Sequence, residues 1–287
     1  MSVEAQVVKS VAILWIVVAA LACLLAIARF NTYKPNVKRV ELKVAHSLNG
    51  KRLNILHLTD LHMEKCSIQP QALLRLVQGE RIDLIALTGD YLDTKEMTGR
   101  FLQYLDALAS LKPRYGMYAV FGNHDYVIAD HLPYLKREME KRHCVVLQNE
   151  HRTVSLEEGT DLHIIGIDDY FTGRSDVDRA FRGVNGKGIR LVLTHDPNIV
   201  LEMKSVSFDY LLSGHLHGGQ IHWPKPYHLK RMGKLPHLKI IRGLHYHRNR
   251  AFYISEGLGQ TGLNLRLRSR PEITFHTLCE SMEKSTV

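Results

Sequence analysis

Residues 54–62 read NILHLTDLH, an apolar run that ends on two potential metal ligands. The run from Leu53 to Leu58 has the length and apolar content of a buried strand. Asp60 and His62 follow it directly, where the strand must end. In an open α/β sheet, ligands collect at the carboxyl ends of parallel strands. The stretch therefore predicts a strand that carries functional side chains at its end.

The same arrangement, an apolar run followed by short polar motifs, recurs four more times along the chain. Any one of these motifs is common by chance, and a lone histidine after a strand is more often structural. The ordered set, each member at a strand end, predicts one shared site. The further motifs are Gly89-Asp90 after DLIALT, Gly122-Asn123-His124-Asp125 after YAVF, Thr194-His195-Asp196 after RLVL, and Gly214-His215-Leu216-His217 after DYLLS.

The pattern of apolar runs predicts an α/β fold. Strands that alternate with amphipathic helices favour βαβ units and a largely parallel sheet, at least through the first half. The later runs lie closer together, as in hairpins. The predicted strands are Leu53–Leu58, Leu84–Thr88, Tyr118–Phe121, Leu162–Ile167, Ile189–Thr194, Tyr210–Leu212, Ala251–Ser255 and Ile273–Leu278; the predicted helices are Pro70–Gln78, Gly99–Leu111, His131–Arg142 and Asp176–Arg182.

The side-chain types at the strand ends suit a pair of metal ions. Imidazole and carboxylate together favour borderline ions such as Zn, Fe or Mn over Mg or Ca. Glycines next to Asp90, Asn123 and His215 allow the tight turns and close approach that such a site needs. One carboxylate must bridge the two ions, and the middle one, Asp90, is the natural choice.

The ordered set DLH, GD, GNHD, TH and GHLHGGQ resembles the calcineurin-like metallophosphoesterase superfamily over residues 51–223. The tail ISEGLGQTGLNLRLRSRPEIT, residues 254–274, extends the likeness to the membrane-anchored bacterial branch of YkuE/YaeI-type phosphodiesterases. The resemblance implies a four-layer α/β/β/α sandwich and a phosphoesterase that depends on two divalent metal ions, with Mn favoured.

The resemblance also implies a role for each motif residue. Every position of the family's motif is filled here, so the resemblance implies an active enzyme. Asp60, His62 and His217 would hold the first metal, Asn123, His195 and His215 the second, and Asp90 would bridge both. His124 would donate a hydrogen bond or a proton to the leaving group. Arg266 matches an arginine of the family's tail and would contact the substrate phosphate, with a plain surface charge as the alternative.

An N-terminal segment of 19 uncharged residues, SVAILWIVVAALACLLAIA, lies between Lys9 and Arg29. As a helix it would span roughly 28 Å, close to the hydrocarbon thickness of a bilayer. It has no polar stripe, unlike a core helix, and it is longer than the apolar stretch of most signal peptides. We expect a single-pass anchor at residues 1–30, a basic segment with the first strand at 31–50, and the phosphoesterase domain at 51–287. Cations are concentrated after the segment, which places the domain in the cytoplasm, at the inner (cell) membrane.

The charge balance favours anionic partners. The chain has 38 Lys and Arg against 29 Asp and Glu. Residues 221–255 hold eight of these cations, with Trp223 and two tyrosines between them and no acid. A lipid surface, nucleic acid and a solvated loop all fit this composition, and the anchor favours lipid over nucleic acid. The four cysteines form no CxxC pair, so we expect neither a disulfide nor a thiolate metal site.

These features favour a membrane-anchored phosphohydrolase that acts on a lipid-linked phosphodiester or pyrophosphate. The resemblance offers UDP-2,3-diacylglucosamine, an intermediate of lipid A synthesis, as one such substrate. A general phospholipid or cyclic-nucleotide phosphodiesterase is the alternative enzyme. A non-catalytic, metal-stabilised membrane scaffold is the alternative of another class, and the presence of His124 argues against it. The sequence identifies no protein partner.

Overall fold

The computed structural model describes residues 3–46, 48–157, 159–222 and 226–281. Within those residues the chain forms six α-helices and twelve strands. In chain order they are α1 (Val3–Asn31), β1 (Asn36–Val44), β2 (Arg52–Leu58), α2 (Pro70–Val77), β3 (Leu84–Thr88), α3 (Thr98–Ala109), β4 (Met117–Val120), α4 (Leu132–Glu140), β5 (Cys144–Val146), β6 (Glu150–Ser155), β7 (Asp161–Gly166), α5 (Val177–Phe181), β8 (Ile189–Leu193), β9 (Tyr210–Ser213), α6 (Lys234–His237), β10 (Gly243–His247), β11 (Arg250–Ile254) and β12 (Glu272–Glu280).

The strands form two six-stranded sheets. The first sheet has the order β1-β12-β2-β3-β4-β5, and the second has the order β10-β11-β9-β8-β7-β6. Strands β2 to β5 are parallel, as are β7, β8, β9 and β11. The last strand, β12, lies between β1 and β2, parallel to β1 and antiparallel to β2. The carboxyl ends of the parallel strands therefore form one edge in each sheet.

Three apolar layers stack the two sheets and their helices into a four-layer sandwich. The middle layer joins the facing sheets through residues such as Ile55 and Leu84 on one side and Leu191 and Leu212 on the other. A second layer packs α2, α3 and α4 on the outer face of the first sheet. A third packs α5, α6 and a 3₁₀ helix, Pro197–Leu201, on the outer face of the second. Burying both faces of each sheet explains why its central strands are apolar throughout.

The predicted fold class is confirmed, and each predicted strand and helix overlaps an observed one. The structure adds three strands that the sequence analysis did not predict, β5, β6 and β10. Each is short, lies at the edge of a sheet, and in the case of β6 is largely exposed. β6 and β10 lack the apolar pattern by which a strand is recognised, and β5 is apolar but only three residues long. All four cysteines are free thiols.

Helix α1 is apolar and stands apart from the sandwich except at its last turn. Residues Gln6–Asn31 are long and apolar enough to cross a membrane, and only 6% of the most apolar stretch is buried in the protein. At its end, the carbonyl of Ala28 accepts a hydrogen bond from the backbone N–H of Arg266 at 2.9 Å. Asn31 donates to the carbonyl of Arg266 at 3.0 Å, and Arg29 donates to Ser67 at 3.0 Å. The helix is thus bonded to the domain rather than joined by a loose linker. The division at residues 30 and 50 stays a prediction.

Candidate metal centre

The five motifs converge because both sheets present their strand ends to the same place. Asp60 follows β2, Asp90 follows β3 and Asn123 follows β4 in the first sheet, while His195 follows β8 and His215 follows β9 in the second. Leaving a strand so abruptly requires unusual backbone conformations. Five of the seven predicted ligands have positive φ angles: Asp60, His62, Asp90, His215 and His217, between 38° and 71°. Such conformations are uncommon for residues other than glycine and concentrate at functional sites.

Close packing around these turns requires glycine at two positions, Gly122 and Gly214, each of which directly precedes a predicted ligand. A Cβ atom on Gly122 would collide with the carboxylate of Asp90, and one on Gly214 would collide with the carboxylate of Asp60. The glycines in the GNHD and GHLH motifs therefore leave space for the ligand side chains.

The side chains form two clusters that meet at Asp90. Ligand atoms of Asp60, His62 and His217 lie within 4.8 Å of one another, and so do those of Asp90, His195 and His215. The clusters meet because the same oxygen of Asp90, Oδ2, lies 3.0 Å from His195 Nε2 and 3.6 Å from His62 Nε2. This is the position expected of a carboxylate that bridges two ions.

Several of these polar atoms are buried without a hydrogen-bond partner among the described residues. They include His62 Nε2, Asn123 Oδ1, His215 Nε2 and His217 Nδ1. A buried polar atom left unpaired costs about 1–3 kcal/mol, so a group of them calls for a bound ligand. The donor set of imidazole, carboxylate and amide oxygen fits a divalent cation. The clusters therefore form a site for divalent metal.

The protonation of two of the buried histidines, His215 and His217, also suits metal binding. Burial lowers the pKa of His215 to about 3 and that of His217 to about 4, so both rings are neutral and offer a lone pair. His195 lies with its Nδ1 2.7 Å from the carbonyl oxygen of Thr88, to which it donates, and Nε2 is left towards Asp90. A hydrogen bond of this kind fixes the orientation of a ligand ring.

Asp125, the last residue of the GNHD motif, holds together two of the three loops of the first sheet that carry predicted ligands, those after β3 and β4. It is fully buried and accepts hydrogen bonds from the backbone N–H groups of Asp90 and Gly122, both at 2.9 Å, and of Tyr91 at 2.8 Å. Burial, followed by the charge of Asp90, raises the pKa of its carboxyl group to about 7. Asp125 therefore positions Asp90 without facing the cluster itself.

The structure adds Asp93, which the sequence analysis did not identify. Its Oδ1 lies 3.0 Å from His124 Nδ1 and 3.3 Å from His62 Nδ1, so it orients both rings. Burial lowers the pKa of His124, but the hydrogen bond to Asp93 and the charge of Asp90 outweigh it and raise the pKa to about 9. Asp93 is three residues after Asp90, and no pattern in the sequence distinguishes it from the other acidic residues.

Arg266 does not have the role that the sequence analysis predicted. The side chain is fully buried, and its guanidinium donates to the backbone carbonyls of His217, Glu256, Gly257, Gly259 and Arg270 and to the hydroxyl of Ser269. Both terminal nitrogens are thus occupied by the protein, while Nε is buried without a partner among the described residues, so the side chain is placed neither as a substrate contact nor as a surface charge. Arg266 instead ties the chain's tail to the loop of the metal-binding histidine His217.

The basic region is described only in part. Trp223 and Lys225 lie outside the described residues. The remaining cations lie on a 3₁₀ helix, Tyr227–Arg231, on α6, in the segment between α6 and β10, and on the hairpin of β10 and β11. This region directly follows the turn His217–Gly219 of the metal centre.

Two facing α/β layers with paired carboxylate and imidazole clusters at their common edge define a metal-dependent phosphoesterase. The sequence model of the calcineurin-like phosphoesterase family matches residues 53–219, which include every predicted metal ligand. The chain belongs to this family.

Relatives with known sequences agree with this assignment. The chain is 53% identical to the metallophosphoesterase YkoQ of Bacillus subtilis, over 88% of this chain and 93% of that protein. It is 27% identical to the metallophosphoesterase YkuE of the same organism, over 82% of this chain and 81% of YkuE. It is 28% identical to the phosphodiesterase YaeI of Escherichia coli, over 79% and 82% of the two chains. The protein is therefore a metal-dependent phosphoesterase.

We predict that Asp90→Ala lowers the binding of both metals, because the one carboxylate faces both clusters. Activity should fall by more than ~10²-fold, since even outer-shell partners of a metal site contribute about 10–100-fold. Metal content of the purified variant, measured by elemental analysis beside turnover of bis-p-nitrophenyl phosphate, checks this. Asp161→Ala, at the far end of β7, is the control and should keep normal metal content. Two full equivalents of metal in Asp90→Ala would contradict the bridging position.

A second prediction separates the structural role of Arg266 from a substrate contact. Arg266→Met should lower the free energy of unfolding by ~3 kcal/mol or more, because several buried carbonyls lose their donor. Chemical denaturation in detergent measures this, and Arg268→Met, an exposed neighbour, should be almost neutral. If the Arg266→Met variant instead keeps its stability and has a raised KM, Arg266 contacts the substrate.

Proposed function

We propose that the protein hydrolyses a phosphodiester or phosphoanhydride bond in an anionic, lipid-linked substrate at the surface of the inner (cell) membrane. The proposal rests on the hydrogen bonds that join the last turn of α1 to the tail of the domain, which we call the α1 joint. Ala28 and Asn31 bond to the backbone of Arg266, whose guanidinium bonds to the carbonyl of His217 in the metal centre. An apolar helix of membrane-spanning length is thus connected through one residue to the site, which keeps the site near the bilayer surface.

The two clusters support the proposed division of ligands for six of the seven residues, and the unpaired, buried Oδ1 supports it for Asn123. Asp60, His62 and His217 would hold one ion, Asn123, His195 and His215 the other, and Asp90 would bridge them. Two divalent ions are proposed, Mn before Fe or Zn, because the donors are imidazole and oxygen without thiolate. When bound, such ions polarise the phosphoryl oxygens and make water a stronger nucleophile.

His124 is proposed to hold the proton that the leaving group receives. Its Nδ1 is engaged by Asp93, which leaves Nε2 as the donor. The hydrogen bond to Asp93 raises the pKa of the ring and so favours its protonated form. About 30% of the side chain is exposed, so it borders the opening of the site, where a leaving group departs. A general acid placed in this way contributes ~10²–10⁴-fold to a rate.

The proposal also concerns the type of bond that is cleaved and the lipid part of the substrate. The relative YaeI is a phosphodiesterase by name, which favours a diester here. UDP-2,3-diacylglucosamine is one member of the proposed substrate class, and a phospholipid or a cyclic nucleotide is the alternative. The cations after residue 221 favour an anionic substrate, and the α1 joint favours one that lies in the membrane.

We predict that His124→Ala keeps near-normal metal content while kcat falls, and that Asp93→Asn gives a smaller loss of the same kind. The loss should be large for a diester with an alkyl leaving group, which must be protonated. It should shrink for a p-nitrophenyl ester, which leaves without a proton. Steady-state kinetics over a series of leaving groups measures this dependence. An equal loss across the series would rule out the acid role.

The α1 joint generates a prediction about truncation. Deleting residues 1–25 removes most of the apolar helix but keeps Ala28, Arg29 and Asn31, so turnover of a soluble diester should be nearly unchanged. Turnover of a diacyl substrate in vesicles should fall because the enzyme is no longer held at the surface. Deleting residues 1–32 also removes the bonds to Arg266 and Ser67 and should lower thermal stability. Equal turnover of vesicles by the full-length protein and by the first truncation would contradict the lipid-linked substrate.

A further inference from the structure

A pocket of about 670 Å³ lies beside the metal centre, in the region that follows the His217–Gly219 turn. This volume is in the range of binding sites for small ligands. Its apolar side includes Pro226, Leu229 and Ile241, of which Leu229 and Ile241 are buried. The wall is close to the metal ligands, because a Cβ atom on Gly219 would come within 2.9 Å of Pro226.

Exposed cations surround this apolar side. Lys230, Lys239 and Arg242 line the pocket and are exposed. Arg242 shares Glu256 with Lys38, at 3.2 and 3.0 Å, so its charge is partly balanced. The sequence has no acidic residue from 221 to 255, so the pocket keeps a positive charge. An apolar cavity with a cationic opening is complementary to a molecule with an acyl chain and an anionic head.

The pocket lies at the depth of the membrane surface if α1 spans the bilayer. Leu267 forms a parallel bridge with Ile221 and bonds to Gln220 and His222, and His222 lines the pocket. Arg266, the preceding residue, bonds to Ala28 at the end of the helix. The pocket is therefore separated from the end of the helix by the single chain segment around residues 266–268, roughly 10 Å at the spacing of paired strands.

A second, smaller cavity also indicates that the pocket lies close to the end of α1. It is lined by Asn31, the last residue of α1, together with Arg242 and Arg268. Arg242 thus borders both the pocket and the space next to the helix end. A lipid that lies against the last turn of α1 needs no long displacement to reach the pocket.

We propose that this pocket binds an anionic phospholipid from the adjacent leaflet, with its phosphate at Lys239 and Arg242 and an acyl chain along Leu229 and Ile241. The use of this lipid as substrate rests on the proposed function, whereas its binding does not. A nucleic acid fits less well, because the buried residues among the described lining, Leu229 and Ile241, are aliphatic, whereas bases stack on aromatic rings.

Photolabelling of the full-length protein tests the proposal. The protein is placed in phosphatidylcholine nanodiscs that contain a trace of phosphatidylglycerol with a diazirine in one acyl chain. A phosphatidylcholine probe with the same diazirine chain is the matched control, and adducts are located by mass spectrometry. The phosphatidylglycerol probe should label residues 226–241 preferentially. Unlabelled phosphatidylglycerol should compete, while inorganic phosphate should not.

Two variants distinguish a pocket from a charged surface. Lys239→Glu should reduce labelling about fivefold or more, the factor expected for one cation near an anionic lipid. Pro236→Trp fills the pocket without changing its charge and should reduce labelling as well. Lys187→Glu, an exposed lysine at the opposite end of β8, should leave labelling unchanged. Cooperative unfolding and metal content establish that each variant is folded.

Either of two outcomes would overturn the proposal. Equal labelling of residues 226–241 by both probes would show that the region does not select an anionic headgroup. Labelling that survives Pro236→Trp would show that lipid adsorbs to the surface and does not enter the pocket. Because photolabelling requires no turnover, a failure of the proposed hydrolysis would not change these readings.

Discussion

Burying two carboxylates between facing sheets is the constraint on which the rest of the structure depends. Asp60 and Asp90 are almost inaccessible to solvent, and isolated charges in such a place are costly. The surrounding backbone is arranged to hold them: the N–H of His215 donates to Asp60 at 3.1 Å, and the N–H of His124 donates to Asp90 at 2.9 Å. The imidazoles complete the shell, and a divalent cation supplies the positive charge that neutral rings cannot.

Backbone strain at the ligands follows from the same constraint. A strand that continued straight would direct Asp60 and His62 along the sheet, so the chain turns through left-handed conformations to bring them to the centre. The surrounding structure has to enforce these turns. The tail does so for Asp60, since the N–H of Gly259 donates to its carbonyl at 2.6 Å. Arg266 fixes that tail in turn by donating to the carbonyls of Gly257 and Gly259. The part of the chain after the family signature is therefore needed to shape the site.

The sequence predicted the helices and strands that are marked by a regular pattern of apolar residues within one segment. Apolar strands such as Leu84–Thr88 were located to the residue, because both of their faces are buried and no polar residue interrupts them. Glu150–Ser155 was not predicted, because its exposed side chains show no apolar pattern. Asp93 and Arg266 were missed or misassigned for another reason. Their roles arise from partners distant in the sequence, backbone carbonyls in the case of Arg266, and a composition or motif contains no record of such contacts.

The position of β12 has a consequence for how the protein is made. This strand separates β1 from β2, although it follows all the other strands in chain order. The first sheet therefore keeps a gap between β1 and β2 until β12 has been synthesised, while the apolar helix preceding β1 is already available to the membrane. Lys38, Arg39, Glu41 and Lys43 make the waiting β1 a poor template for pairing with other chains. Closure of the sheet, and with it the fixing of Asp60 by the tail, therefore has to wait for the segment that contains Gly259 and β12.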